Sequence, residues 1–141
     1  MTESNCAYID GSYNPENGKC GYGVVLFDKR GAKHFYQGVV IDPDMTKMRN
    51  VAGEIQGAVV AVGSALGLDM HGLTLYYDYE GIEKWVTGEW RANNEYTKDY
   101  ARCMRQMMTD LDIRFEHVKA HSGVAGNEKA DWLAKLAVGL L

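Results

Sequence analysis

Two apolar runs of this 141-residue chain, Ala7-Tyr8-Ile9 and Leu73-Thr74-Leu75-Tyr76-Tyr77, each lead straight into an aspartate, Asp10 and Asp78. Their aromatic and β-branched content reads as strand. A carboxylate at or past the middle of a central strand costs several kcal/mol of desolvation unless it is paired or binds a cation. If the fold lays the two strands side by side, the acids can meet and share whatever compensates them.

The rest of the pattern supplies the elements. Strands are expected over Cys6 to Tyr13, Gly21 to Asp28 and Ala32 to Ile41, joined by Asn14-Pro15-Glu16-Asn17-Gly18 and Lys29-Arg30-Gly31. Short turn-rich links of this kind predict an antiparallel meander. Asp42 to Arg49, with Pro43, reads as a loop. Val51, Ile55, Ala58, Val59, Val62 and Leu66 recur at helical spacing up to Gly67. Leu73 to Tyr79 is expected as a fourth strand, followed by a short helix over Gly81 to Val86. A second long helix is marked by Tyr96, Tyr100, Cys103, Met104, Met107 and Leu111. Ile113 to Val118 is the fifth strand and Asn127 to Leu140 the last helix. Strands first, then alternating helices and strands, give an α/β fold with helices on a mixed sheet.

Two further acids ride helices beside their packed faces. Glu54 lies three residues after Val51 and four before Ala58, and Asp131 lies three before Ala134. Any one of these acids reads as a surface charge, and Asp131 alone as an answer to the helix dipole. Four of them, on two strands and two helices, point to one shared site. Like charges gather so closely only when cations or protons compensate them. An oxygen-only ligand set favours Mg²⁺ or Mn²⁺ over zinc.

Composition sets the outer limits. The chain is 46% hydrophobic and 24% charged with a formal net charge of −4, a globular balance that excludes a protein holding nucleic acid by bulk positive charge. One domain over residues 1–141 is expected, acting as a stand-alone enzyme with no separate hybrid-binding domain. Three cysteines without a CxxC pair argue against a disulfide framework and place the chain in a reducing cytosol. The start lacks a signal-peptide pattern, and the longest apolar window, Ala58 to Leu68, is too short to span a bilayer.

His117 and His121 stand four apart, but the first lies in a strand-like run and the second in a glycine-containing loop, so a zinc pair is not expected. His117 reads as an ordinary strand residue. His121, beside Ser122-Gly123, suits a proton shuttle. Lys98, Arg102 and Arg105 share a helix face with Glu95 and Asp99 and read as a solvated surface. Trp85 fits a core position, whereas Trp90 in Gly88-Glu89-Trp90-Arg91 is harder to bury. The pair is a candidate nucleic-acid contact.

Tyr8-Ile9-Asp10-Gly11-Ser12, Asn50-Val51-Ala52-Gly53-Glu54, Tyr77-Asp78, and His121-Ser122-Gly123 with Gly126-Asn127 through Asp131 stand in the order seen in type 1 ribonuclease H. The chain resembles that family over nearly its whole length. The resemblance implies a ribonuclease H-like five-stranded mixed sheet, with three antiparallel N-terminal strands and helices on both faces. It implies hydrolysis of the RNA strand of RNA–DNA hybrids. Asp10, Glu54, Asp78 and Asp131 are similar to the family's metal-binding carboxylates, and His121 to its loop histidine. By the same resemblance the substrate contacts are Gly11, Ser12, Asn14, Arg49, Asn50, Trp85, Trp90 and Asn127. Three departures stand out. Asp78-Tyr79-Glu80-Gly81 is shorter than its counterpart, the lysine-rich insertion is reduced to Thr87–Asn93, and Arg49 replaces a small hydroxyl residue.

The mechanism the resemblance implies uses two Mg²⁺ ions roughly 3.5–4 Å apart and leaves 5′-phosphate and 3′-hydroxyl ends. The cut strand is tested for 2′-hydroxyls and its partner for shape. The alternatives are a ribonuclease H-fold DNA nuclease or integrase and a non-catalytic hybrid-binding module. The protein is expected to be a cytoplasmic monomer, with no membrane and no protein partner.

Overall fold

In a computed structural model that describes residues 3–119 and 122–141, five strands form one mixed sheet. Strand β1 is Cys6–Asn14, β2 is Lys19–Phe27 and β3 is Lys33–Val39. They pair antiparallel, with Asp10 opposite Gly23 and Val25 opposite Phe35. After helix α1, Asn50–Gly67, strand β4, Gly72–Tyr77, returns parallel to β1, with Tyr8 opposite Tyr76. Helices α2, Gly81–Thr87, and α3, Glu95–Met107, precede β5, Asp112–His117, which pairs parallel with β4. Helix α4, Ala125–Val138, closes the chain. The spatial order is β3-β2-β1-β4-β5, so β1 and β4 are neighbours and Asp10 and Asp78 can meet.

Alternation along β1 and β2 divides the core between the two faces of the sheet. Ala7, Ile9, Val24 and Leu26 pack with α1 residues such as Ile55, Ala58 and Val62. Cys6, Tyr8, Val25 and Phe27 pack with Ala130 and Leu133 of α4. Helices thus cover both faces. Gly23 permits the closeness of α4, because a Cβ there would strike the Ala130 carbonyl and lie 2.8 Å from Ala134 N. Helix α3 starts at a reciprocal cap, in which Asn94 Oδ1 accepts the Thr97 N–H at 2.9 Å and Thr97 Oγ1 accepts the Asn94 N–H.

The structure corrects several expected boundaries. Strand β4 ends at Tyr77, so Asp78 stands just past the strand rather than within it. The run Asp42 to Arg49 contains a 3-10 turn, Met45–Met48, whose Met45 is buried. Helix α3 stops at Met107, and Leu111 reaches the core from the following turn. Helix α4 begins two residues before Asn127. Among the described residues no helix is long and apolar enough to cross a membrane.

Candidate active site

Because β1 and β4 run parallel side by side, Asp10 and the residue after β4, Asp78, arrive at the same end of the sheet. Helix α1 lies over β1 and brings Glu54 to them. Asp10, Glu54 and Asp78 each present a carboxylate oxygen within 4.8 Å of the others. Glu54 is 2% exposed and Asp10 6%, so their repulsion is poorly screened.

One backbone group organises the pair. The Gly11 N–H donates to Asp10 Oδ1 and to Glu54 Oε1, both at 3.0 Å. Only glycine allows this approach, since a Cβ on Gly11 would strike the Asn50 carbonyl and lie 2.6 Å from Glu54 N. The other oxygen of Glu54, Oε2, is buried with no hydrogen-bond partner among the described residues. A buried, unpaired carboxylate oxygen is costly in a protein interior and is the kind of group a cation satisfies.

The electrostatics agree. Burial pushes Asp10 up to about 7; a hydrogen bond with Glu54 opposes this, while the charges of Asp78 and Asp131 add to it. Burial, reinforced by Asp10 and Asp78, holds Glu54 well above the usual carboxylate range. Without a cation the cluster retains protons at neutral pH; a divalent ion would replace them. The residues present therefore fit a hard cation with oxygen ligands.

Asp131 reaches Asp10 from α4 but stands outside the three-acid cluster. Its carboxylate pairs with Lys135 Nζ, one turn along the helix, at 2.9 Å. His121 lies outside the described residues.

The expected substrate contacts divide. Arg49 and Asn50 are exposed at the start of α1. Arg49 adopts φ 57°, ψ −129°, and its guanidinium lies 5.5 Å from the Tyr13 ring centre, beside a surface pocket lined by Gly18, Thr46 and Lys47. Gly11 and Ser12 lie inside β1, as expected, and Ser12 is buried. Asn14 is also buried and ties the fold together, with Nδ2 donating to the Val138 carbonyl at 2.9 Å and Oδ1 accepting from Glu16 N–H. Trp85 is buried among Tyr79, Trp90 and Tyr100, and only Trp90 of the tryptophan pair is partly open, with Lys84 Nζ 5.4 Å from its ring centre. Asn127 is buried in the first turn of α4, and its Oδ1 lacks a partner among the described residues. Sequence reasoning missed Lys135, whose i, i+4 spacing from Asp131 is a readable signal. It also missed His117, whose ring Nε2–H donates to the Asp78 carbonyl at 2.8 Å.

A β3-β2-β1-β4-β5 sheet with helices on both faces and acids converging at the middle of β1, where β4 ends, defines a ribonuclease H-like protein with an acidic centre. The RNase H family model matches residues 2–139. The chain belongs to the RNase H family. It is similar to a Ribonuclease H of Cyanothece sp., 28% identical over 140 residues that cover 91% of this chain and 85% of that one. It is also similar to Ribonuclease H1 of Rattus norvegicus, 30% identical over 151 residues covering 96% of this chain; it spans half the length of that protein. The fold matches RNase H1 from the halophilic archaeon Halobacterium salinarum NRC-1 with a TM-score of 0.79, at 24% identity over 99% of this chain and 100% of that one. It matches LC11-RNase H1, solved in complex with an RNA/DNA hybrid, with a TM-score of 0.75, at 19% identity over 96% of each chain.

Proposed function

We propose that this protein cleaves the RNA strand of an RNA–DNA hybrid by hydrolysis, leaving 5′-phosphate and 3′-hydroxyl ends. The observation that carries the reading is the convergence of Asp10, Glu54 and Asp78 around a buried Glu54 oxygen that no group among the described residues satisfies. Family membership and the hybrid bound by LC11-RNase H1 support the substrate class.

Two divalent cations, Mg²⁺ or Mn²⁺ in its place, would be held by Asp10, Glu54, Asp78 and Asp131. Bound there, they supply acidity to the attacking water and positive charge for the departing 3′-oxygen. Asp10 would share a cation with Glu54 and Asp78, whose carboxylate oxygens lie within 4.8 Å of its own. Gly11 fixes the facing oxygens of Asp10 and Glu54 and leaves Glu54 Oε2 for the cation. Lys135 holds Asp131 at the rim. Arg49 offers a guanidinium to a phosphate of the hybrid, and Asn50 an amide to the minor groove, where 2′-hydroxyls distinguish RNA from DNA. Trp90 offers an aromatic face to the partner strand. His121 carries protons to and from the reaction. The protein acts in the cytoplasm as a monomer, the compartment being supported by three free cysteines.

The test is cleavage of a hybrid labelled on the RNA strand, with Mg²⁺. The wild type cuts and Asp10→Asn does not. Full activity in Asp10→Asn, or cleavage of duplex DNA in preference to the hybrid, overturns the proposal.

A further inference from the structure

Asp78 stands where the chain leaves the sheet, one residue beyond the last residue of β4. A ligand at such a point needs its backbone held, because strand pairing no longer does so. Two successive residues at the end of β5 supply the hold. The Val118 N–H donates to the Tyr77 carbonyl at 2.8 Å, and the His117 Nε2–H donates to the Asp78 carbonyl at 2.8 Å. These carbonyls belong to the two peptide planes that flank the Asp78 Cα. Each plane is rigid, so fixing both fixes φ and ψ of Asp78 and the direction of its Cα–Cβ bond. The His117 ring is itself oriented, meeting the Tyr77 ring edge-on with centroids 5.5 Å apart, and Tyr77 OH is anchored on the Glu83 carboxylate of α2. The carbonyl only accepts, so Nε2 carries a proton in this contact.

We propose that His117 is a positioning residue of the acidic centre: its Nε2–H clamps the Asp78 peptide and so holds the Asp78 carboxylate in register with Asp10 and Glu54. The inference rests on Asp78 being a cation ligand, as read above. His117 does not touch the cation or the reacting atoms. Its effect belongs on cation affinity rather than on the chemistry, as for the groups that orient ligands in other metal centres. His117 is exposed, so its replacement tests this contact without emptying the core.

The experiment compares His117→Gln, whose amide nitrogen reaches about as far as Nε2, with His117→Leu, which has no donor. Mg²⁺ binding is measured by calorimetry on the protein without substrate, and cleavage of a hybrid is followed as Mg²⁺ is raised. His117→Leu is expected to weaken Mg²⁺ binding about threefold to tenfold, with kcat recovering at high Mg²⁺ and KM for the hybrid unmoved, while His117→Gln stays within about twofold of wild type. If the leucine variant does not fold, His117→Asn, whose amide stops short of the carbonyl, carries the same expectation. Mg²⁺ binding by the donorless variant equal to wild type overturns the proposal, as does a glutamine variant no better than leucine. The calorimetric arm separates this from the wider reading, because a wild type that binds Mg²⁺ but leaves the hybrid intact defeats the proposed function and leaves the His117 comparison standing.

Discussion

Gly11 donates its backbone N–H to Oε1 of Glu54 at 3.0 Å, joining β1 to the second turn of α1 across 43 residues of sequence. The contact has two consequences. It presses the N-terminal part of α1 onto the sheet, and it satisfies one Glu54 oxygen while the other, Oε2, stays buried without a partner among the described residues. The centre is thus stable as architecture and unsatisfied as chemistry.

That imbalance predicts an opposition between stability and activity. Glu54→Gln preserves shape while removing a carboxyl that folding must either bury charged against Asp10 and Asp78 or protonate. In EDTA at pH 7.5 the variant is expected to melt a few degrees above wild type, because that cost is gone. Hybrid cleavage is expected to fall at least about a hundredfold, since a neutral amide is a poor replacement for an anionic ligand. Added Mg²⁺ should raise the melting temperature of wild type and not of the variant. Calorimetric scans with and without Mg²⁺ check the two melting predictions, and a hybrid cleavage assay checks the other.

The same cluster sets a pH dependence for the metal-free protein. Burial lifts Asp10 from 3.8 to about 7 in the folded state. Between those values the folded chain holds a proton that the unfolded chain has released, so stability falls as pH rises through the window and levels off above about 7. The upper bound for Asp10 alone is about 4 kcal/mol. Glu54 shifts in the same direction and adds to the slope. Asp28, lowered by its hydrogen bond to His34, acts in the opposite direction, but only at acid pH. Urea midpoints in EDTA should therefore drop steadily from pH 5 to pH 8, and saturating Mg²⁺ should remove most of the drop. A flat profile in EDTA would contradict the protonated cluster.

The approach of β1 to α1 is equally testable. Gly11→Ala places a Cβ against the Asn50 carbonyl and within 2.6 Å of Glu54 N, both backbone atoms that cannot turn aside. Overpacking of this kind costs about 1–3 kcal/mol, and more where backbone must shift. We expect a loss of about 3 kcal/mol in urea unfolding, with Mg²⁺ binding weakened alongside it because Glu54 moves with its helix.

Much of this centre was legible in the sequence. Asp10 and Asp78 each follow an apolar run, and a parallel β1–β4 pair is the arrangement that brings two such acids together. Glu54 and Asp131 were found by helical spacing. Contacts between distant parts of the chain were not legible. Aromatic content carried the expected β4 on to Tyr79, yet the strand ends at Tyr77, level with the last residue of its partner, His117. Asn14 looked like a loop amide because its acceptor, the Val138 carbonyl, lies 124 residues away. The nearby Gly88 already marked Trp90 as harder to bury than Trp85, but the partner that covers Trp85, Tyr100 of α3, was not legible. His117 read as a plain strand residue because its role depends on the register of β5 beside β4.

That division yields a last prediction, which separates two residues the sequence grouped together. Asn14 sits inside the protein and anchors the C-terminal end of α4, whereas Arg49 sits outside it on the Tyr13 ring. Asn14→Ala removes a buried hydrogen bond and should cost about 1–2 kcal/mol of stability, with KM for the hybrid nearly unchanged once the protein is folded. Arg49→Ala should leave urea unfolding within about 0.5 kcal/mol of wild type, because no described hydrogen bond of its side chain holds the fold. It should raise KM for the hybrid severalfold and reduce the salt dependence of binding by about one phosphate contact. The left-handed φ of 57° at Arg49 sharpens the comparison, since backbone held in a sparsely populated conformation is a recurrent mark of ligand-contacting positions. Glycine relieves that strain and alanine does not, so Arg49→Gly should be more stable than Arg49→Ala and equally weak in hybrid binding. Binding titrations at several salt concentrations, beside urea curves for the three variants, decide whether Arg49 contacts a phosphate or merely caps its helix.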